Sequence, residues 1–198
     1  MDMVISARKE ANIPVPPHPT ISGHVIQRTT SFKLLGVYIT ANLTWDTHVH
    51  YMLAKSRPRV YYLTAAKKAG LPTDALIQIY LTFIRPLLEY ASPVWGGLPK
   101  YLANMLESVQ KRCLRIIGVP TDSLPSLSSR RDAATLRTLR NTIRDSSSPL
   151  NEFITPPQDN CYNLRREGRY KPMTNSKTKR HELSFIPRSL KLLYQADC

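Results

Sequence analysis

The sequence predicts a mainly α-helical protein with a small antiparallel β-hairpin near its N-terminus, an α+β fold whose helical bundle runs into an irregular basic tail. Three observations predict it. Residues 24–39, HVIQRTTSFKLLGVYI, carry apolar side chains spaced for strands. From Asp46 to Gly118 the apolar spacing changes to three and four residues, the period of a helix face. Beyond Pro120 that pattern weakens while basic and polar residues accumulate.

The chain opens with DMVIS, a short β-like run, and NIPVPPHPTISG follows as a proline-rich linker without regular structure. Val25, Phe32, Leu34 and Val37 then predict two or three antiparallel strands around a polar turn at Thr29 to Ser31. The stretch TTSFKLLGVYITANLTWDTHV reads as half of a hairpin that reverses through Ala41 and Asn42 and feeds a long helix.

In that helix Val49, Leu53, Ser56, Val60 and Leu63 share a face, Thr44 or Asp46 is the expected N-cap, and Gly70 is the stop. Pro58 interrupts it at a cost of about 3 kcal/mol unless the helix bends or divides. Thr73 is the expected cap of a second helix with Leu76, Ile79, Tyr80, Phe83, Ile84, Leu87 and Ala91 on one apolar stripe. SPVWGGLP is a turn into a third helix, KYLANMLESVQKRCLRIIG. There Leu102, Met105, Leu106, Val109, Cys113 and Ile116 face inward, and Lys111, Arg112 and Arg115 fall within an arc of about 100° on the other side. A weak helix around residues 129–144, loop or disorder over NCYNLRREGRYKPMTNSKTKRHELSFIP, and a short helix at Arg188 to Tyr194 complete the chain.

The length suits one domain or one and a half, and Lys plus Arg number 28 against 14 Asp plus Glu, a formal net charge of +14. Both parts of the chain share the excess: residues 1–120 hold 14 basic and 6 acidic side chains, and residues 121–198 hold 14 and 8. Such a balance favours polyanionic partners, nucleic acid before anionic membrane. The most apolar segment, ALIQIYLTFIRPLLEYASPVW, contains Gln78, Arg85, Pro86 and Glu89, which suits a buried helix better than a membrane span. Three scattered cysteines encode neither a disulfide framework nor a metal knuckle, so a soluble, intracellular protein is expected. KTKRH is a weak nuclear-import pattern that leaves nucleus and cytoplasm both open.

Catalytic chemistry is sought without result. Nucleotidyl transfer needs carboxylates clustered around two Mg²⁺ ions about 4 Å apart. The eight aspartates, from Asp2 to Asp197, include no Asp-Asp or Asp-x-Asp pair. There is no phosphate-binding glycine loop and no HExxH. His48 and His50 point to different faces of a helix and are expected at a solvated helix start, and Cys113 on an apolar face is expected in the core. No cofactor, no metal and no enzymatic activity are therefore expected.

SFKLLGVYITANLTWDTHV, AKSRPRVYYLTAAKKAGL, IYLTFIRPLLEYASPVWGG and LESVQKRCLRIIG, in this order, resemble the region downstream of the catalytic palm in reverse transcriptases of non-LTR retrotransposons of the jockey and chicken-repeat type. The opening MVISARKE resembles the strand after the family's catalytic loop, and YNLRREGRY with TKRHELSFIPRSL resembles its basic C-terminal segment. Pro58 and residues 119–150 depart from the pattern.

The resemblance implies that the family's Tyr-x-Asp-Asp loop would lie before residue 1, leaving a fragment of an RNA-directed DNA polymerase without polymerase chemistry. It further implies that Phe32, Lys33, Leu34, Leu35 and Gly36 match the primer-grip hairpin, with Gly36 allowing close backbone approach, and that the following helices form a thumb-like bundle. Three divisions follow: a hairpin remnant with its linker at 1–45, a thumb-like domain at 46–120 and a weakly helical basic tail at 121–198. Lys55, Arg57, Arg59, Lys67 and Lys68 on the first helix and Lys111, Arg112 and Arg115 on the third are the expected contacts to RNA–DNA or DNA duplex, made non-specifically through phosphates. Trp45, Tyr61, Tyr62 and Trp95 either stack on bases or pack. The alternatives are a protein-interaction module docking through surface that a palm would cover, a mobile-element relic without function, or the C-terminal part of a split polymerase.

Overall fold

The computed structural model describes residues 2–5, 16–154 and 178–196. The fold is mainly α-helical with small antiparallel hairpins at its N-terminal end. Thr20–Ile21 (β1) pairs with His24–Val25 (β2), and Ser31–Leu34 (β3) pairs with Val37–Thr40 (β4), setting Phe32 opposite Ile39 and Lys33 opposite Tyr38. Part of the proline-rich stretch is thus a strand rather than linker. The opening segment contributes a parallel bridge from Asp2 to Arg28, whose guanidinium clamps the Asp2 carboxylate at 2.7 and 2.9 Å.

The reversal does not lie at Ala41 and Asn42, nor the turn at Thr29 to Ser31. The chain turns at Leu35 (φ +46°) and Gly36 (φ +86°), two consecutive left-handed residues that match the twist of a tight hairpin. Glycine takes that conformation without penalty, whereas a leucine there costs about 1–2 kcal/mol. Gly36 is thus a turn glycine. Ala41 and Asn42 belong to the connection into the helix, where Thr44 donates its N–H to the Thr40 hydroxyl at 3.0 Å and the Thr40 hydroxyl donates to the Thr44 carbonyl at 2.7 Å.

Asp46–Lys68 (α1) buries His48, Val49, Met52, Ser56, Val60 and Leu63, so Met52 takes the inward place expected of Leu53. Trp45 is the N-cap, without a side-chain acceptor, and Asp46 favours the helix dipole from the first turn. The end is as expected: Gly70 takes φ +83°, its N–H reaches Lys67 O, and Leu71 N–H reaches Ala66 O. Pro58 does not divide the helix. Pro58 and Ala54, whose carbonyl loses its helical donor, both lie on the exposed side of the helix.

Thr73–Ile79 (α2), a π-helical turn at Tyr80–Ile84 and Arg85–Glu89 (α3) follow without interruption. Pro72 rather than Thr73 is the N-cap. The buried side chains Leu76, Tyr80, Ile84 and Leu88 recur every fourth residue. With about 3.6 residues per turn, strict fours drift around an α-helix. A wider π turn absorbs the drift, and Pro86, lacking an N–H, stands two residues beyond its end.

The backbone gathers into two compact units, Met1–Leu87 and Leu88–Cys198. In the first, α1 packs on β4, α2 and the π turn. The second contains Ser92–Trp95 (α4), Lys100–Ile117 (α5), Leu127–Arg144 (α6), a 3₁₀ turn at Pro149–Phe153, Lys179–Glu182 (α7) and Phe185–Ala196 (α8). α6 packs against α4, α5, α8 and the 3₁₀ turn.

The expected weak helix at 129–144 is thus a regular element at the centre of its unit, and α8 is longer than the expected 188–194. The periodicity of α6 looks poor because its inner face includes Arg131, Thr135 and Thr142 beside Leu127 and Leu139. The threonine hydroxyls donate to carbonyls one turn back, Thr135 to Arg131 at 2.8 Å and Thr142 to Thr138 at 3.0 Å, and are buried without orphaned donors. Gly97 is required by contact: a Cβ there would lie 1.9 Å from the Leu183 carbonyl oxygen. Residues 155–177, most of the stretch expected as loop or disorder, lie outside the described residues. Among the described residues no helix is long and apolar enough to cross a membrane.

Candidate nucleic-acid interface

The hairpin places its five matched residues unequally. Phe32, Leu34 and Leu35 are 40%, 49% and 82% exposed, so the hairpin buries none of its three apolar matched residues in a core. The buried side chains of the pair, Val37 and Thr40, are on β4, the strand that α1 covers. Lys33 instead reaches α1. Its ammonium donates to the Tyr51 hydroxyl at 3.1 Å and sits 4.6 Å from the Tyr51 ring centroid and 5.5 Å from that of Tyr38. Tyr38 and Tyr51 are tilted together at 5.0 Å, and the Lys55 ammonium lies 5.9 Å from the Tyr51 ring.

Lys33 of the primer-grip match and Lys55 of the predicted α1 cations therefore converge on one tyrosine. The hydrogen bond from Lys33 holds the Tyr51 hydroxyl below its usual range, with both ammonium charges acting in the same direction. The same bond raises Lys33. The arrangement keeps a doubly cationic, aromatic surface beside the hairpin.

The remaining cations of α1 separate into three situations. Arg57 is exposed. Lys67 and Lys68 are exposed in the last turn, where they also complement the negative end of the helix dipole. Arg59 is half-buried and engaged: its guanidinium donates to the Phe83 carbonyl in the π turn and lies 4.6 Å from the Phe83 ring. That geometry ties α1 to the π turn and makes Arg59 a packing residue.

On α5, Lys111, Arg112 and Arg115 are all exposed. The acid nearest them in sequence, Glu107, is committed elsewhere: its carboxylate accepts from Leu127 N–H at 3.2 Å and Ser128 N–H at 2.7 Å at the start of α6. It thereby caps α6 together with Ser126, whose hydroxyl accepts from Ser129 N–H at 3.1 Å. The basic arc faces solvent with its nearest carboxylate turned to a structural task.

Trp95 is fully buried, its indole N–H donating to Tyr90 O at 2.8 Å, and belongs to the core. Trp45 is half-buried at the α1 N-cap. Tyr61 and Tyr62 are 71% and 59% exposed, with their rings edge-to-face at 6.1 Å. Cys113 is fully buried, and burial pushes its thiol up to about 12, which makes it unreactive. His48 is buried rather than solvated; its Nδ1 accepts the Tyr38 N–H at 3.4 Å, and burial lowers its pKa to about 4. Among the described residues no three His, Cys, Asp or Glu side chains are grouped to hold a metal ion.

Sequence reasoning missed one basic surface. Arg137, Arg140 and Arg144 are exposed on the outer face of α6 and line a concavity of about 430 Å³ with Ala133, Leu136 and Asn141. Spacings of three and four between the arginines are legible in the chain. The helix carrying them lacks a clear apolar stripe, because its inner face mixes Arg131, Thr135 and Thr142 with Leu127 and Leu139.

Two proteins similar to the chain are RNA-directed DNA polymerases from the mobile element jockey. That of Drosophila funebris is 31% identical over 109 residues, 52% of this chain and 12% of its own length. That of Drosophila melanogaster is 26% identical over 125 residues, 59% of this chain and 14% of its own length. The chain thus contains a region related to a retrotransposon reverse transcriptase and spans about an eighth of the curated relatives it matches. No family model matches the chain. No solved structure matches it either.

Proposed function

We propose that this region corresponds to the primer-grip hairpin and thumb of a retrotransposon reverse transcriptase, and that it binds RNA–DNA or DNA duplex non-specifically while carrying no polymerase chemistry of its own. The observation that supports this reading best is the α5 arc: Lys111, Arg112 and Arg115 all exposed, in a chain of net charge +14, with Glu107 diverted to the α6 cap. Arginines and lysines so placed contact phosphates, release counterions and follow a duplex by shape without reading bases. Lys33 and Lys55 around Tyr51 supply a second contact beside the hairpin. Arg59, engaged with Phe83, is left out of the contact set.

The test is competition between an RNA–DNA primer–template and single-stranded RNA of equal length, followed by fluorescence anisotropy near physiological ionic strength. The duplex is expected to compete better. Replacing Lys111, Arg112 and Arg115 together by Ala is expected to weaken duplex binding about tenfold or more and to flatten its salt dependence. Equal competition, unaffected by the substitutions, refutes the reading.

One observation favours a second reading, a protein-interaction module. Ile21, Val25, Phe32, Leu34 and Leu35 all stand exposed on the two hairpins. Association that depends on protein concentration, is insensitive to salt and is abolished by Leu35→Asp would favour it over nucleic-acid contact.

A further inference from the structure

We infer that the outer face of α6 is a further nucleic-acid surface, on which Arg137, Arg140 and Arg144 grip consecutive phosphates of one strand. The inference rests on the nucleic-acid reading above but uses different cationic side chains, on a different helix.

α6 is 18 residues long and is held from both sides of its chemistry: Ser126 and Glu107 cap its first turn, and its inner face is buried. A helix so fixed presents its outer face as a rigid template. That face reads Ala133, Arg137, Arg140, Asn141 and Arg144, all exposed, at the spacings of a single helical stripe. At about 1.5 Å of rise per residue, successive arginines start about 4.5 and 6 Å apart along the axis. Long side chains on that footing span neighbouring phosphates of one strand, whose rise is about 3.4 Å per nucleotide in duplex DNA.

Charge supports the same partner. On one side Asp132 pairs with Arg188; on the other Asp145, whose carboxylate accepts from the Ser147 hydroxyl at 2.6 Å and its N–H at 3.1 Å, keeps its charge just beyond the end of the stripe. No acidic residue lies between 133 and 144. The stripe also borders the concavity that Ala133, Leu136 and Asn141 line with the three arginines. A guanidinium offers a planar fork that matches a phosphate's oxygens, so arginine suits this task better than lysine would. Asn141 adds an uncharged donor for a phosphate or sugar oxygen.

The measurement is anisotropy of the full chain on labelled single-stranded RNA and on an RNA–DNA duplex, across a salt series. Three proteins are compared: the native chain, the Arg137→Gln, Arg140→Gln, Arg144→Gln variant, and the Lys111→Gln, Arg112→Gln, Arg115→Gln variant. Loss of three phosphate contacts is expected to reduce the slope of log affinity against log salt by about 2 to 3 units, with a loss of tenfold or more in affinity. An Arg-to-Lys triple variant on α6 should keep the slope and lose only part of the affinity.

An unchanged slope in the α6 glutamine variant, with a reduced slope in the α5 variant, overturns this inference and leaves the α5 reading standing. Absence of salt-dependent binding by the native chain overturns both. Tighter binding of phosphatidylserine vesicles than of RNA, lost with the same three arginines, makes the face a membrane contact and likewise overturns it. Circular dichroism checks that the variants fold. If the triple glutamine variant does not, single substitutions carry the test, each expected to lower the slope by about 0.7 to 0.9.

Discussion

α5 and α6 are each 18 residues long and each carries basic residues outward, yet they are buried by different means. α5 turns Leu102, Leu106, Cys113, Leu114 and Ile117 inward, with Gln110 as the one polar member, its amide donating to Pro125 O at 3.1 Å. α6 turns in Arg131, Thr135 and Thr142 between two leucines, and the Glu89–Arg130 and Asp132–Arg188 pairs lie around them. Apolar burial follows from the side chain alone. Polar burial depends on partners supplied by distant parts of the chain, so α6 is specified by context and α5 largely by itself.

The largest expected effect tests the apolar side of that contrast. Leu106 is fully buried, and Leu106→Ala should remove about 3 kcal/mol, as transfer and cavity terms add. Thr135→Ala on α6 should cost about 1 kcal/mol, because the hydroxyl bonds its own helix and accepts one bond from Arg188. Urea titration of both variants checks the pair. Equal losses would mean that the polar face of α6 contributes as much as the apolar face of α5, and the contrast would fail.

A comparable effect should appear on α1, whose one buried histidine carries the logic of α6 into an otherwise apolar face. In the unfolded chain the His48 imidazole takes up a proton below pH about 6.5, whereas in the fold burial delays this to about 4. Between those values the unfolded state binds the extra proton. Stability from His48 is therefore complete above pH 6.5 and declines by about 3 kcal/mol as pH falls toward 4. His48→Asn retains an acceptor for the Tyr38 N–H and does not titrate. The difference in stability between the two proteins should narrow with acid over that window; parallel pH curves would show that His48 is not the titrating group.

The same contrast explains what was legible in the chain. Gly70 and Gly118 mark helix ends, the helix period finds α1 and α5, and Lys111, Arg112 and Arg115 stand exposed where the helix wheel places them. The hairpin turn was misplaced because Leu35 takes a left-handed conformation that nothing about leucine announces. The π turn, Arg59 on Phe83, and α6 as a central helix all depend on contacts between residues far apart in the chain. A basic stripe on α6 was therefore hidden by the same polarity that hid the helix.

The smallest expected effect is the most informative about α6. Arg131 is 1% exposed, its guanidinium lies 6.0 Å from the Trp95 ring, and its Nε and Nη1 have no hydrogen-bond partner among the described residues. Burial lowers its pKa, with Arg188 acting in the same direction, while Glu107, Asp132 and Glu89 offset part of the cost. A buried charge with two donors unmet should contribute little net stability, since desolvation cancels most of what the nearby carboxylates return. Methionine has a similar length, fills an irregular space and brings no charge. Arg131→Met should therefore leave stability within about 1 kcal/mol of the native chain or raise it, whereas Arg131→Ala, which opens a cavity, should lose about 2 kcal/mol or more. If the methionine variant loses as much as the alanine variant, the guanidinium charge itself holds α6 to its neighbours, and the polar inner face is a source of stability rather than a tolerated cost.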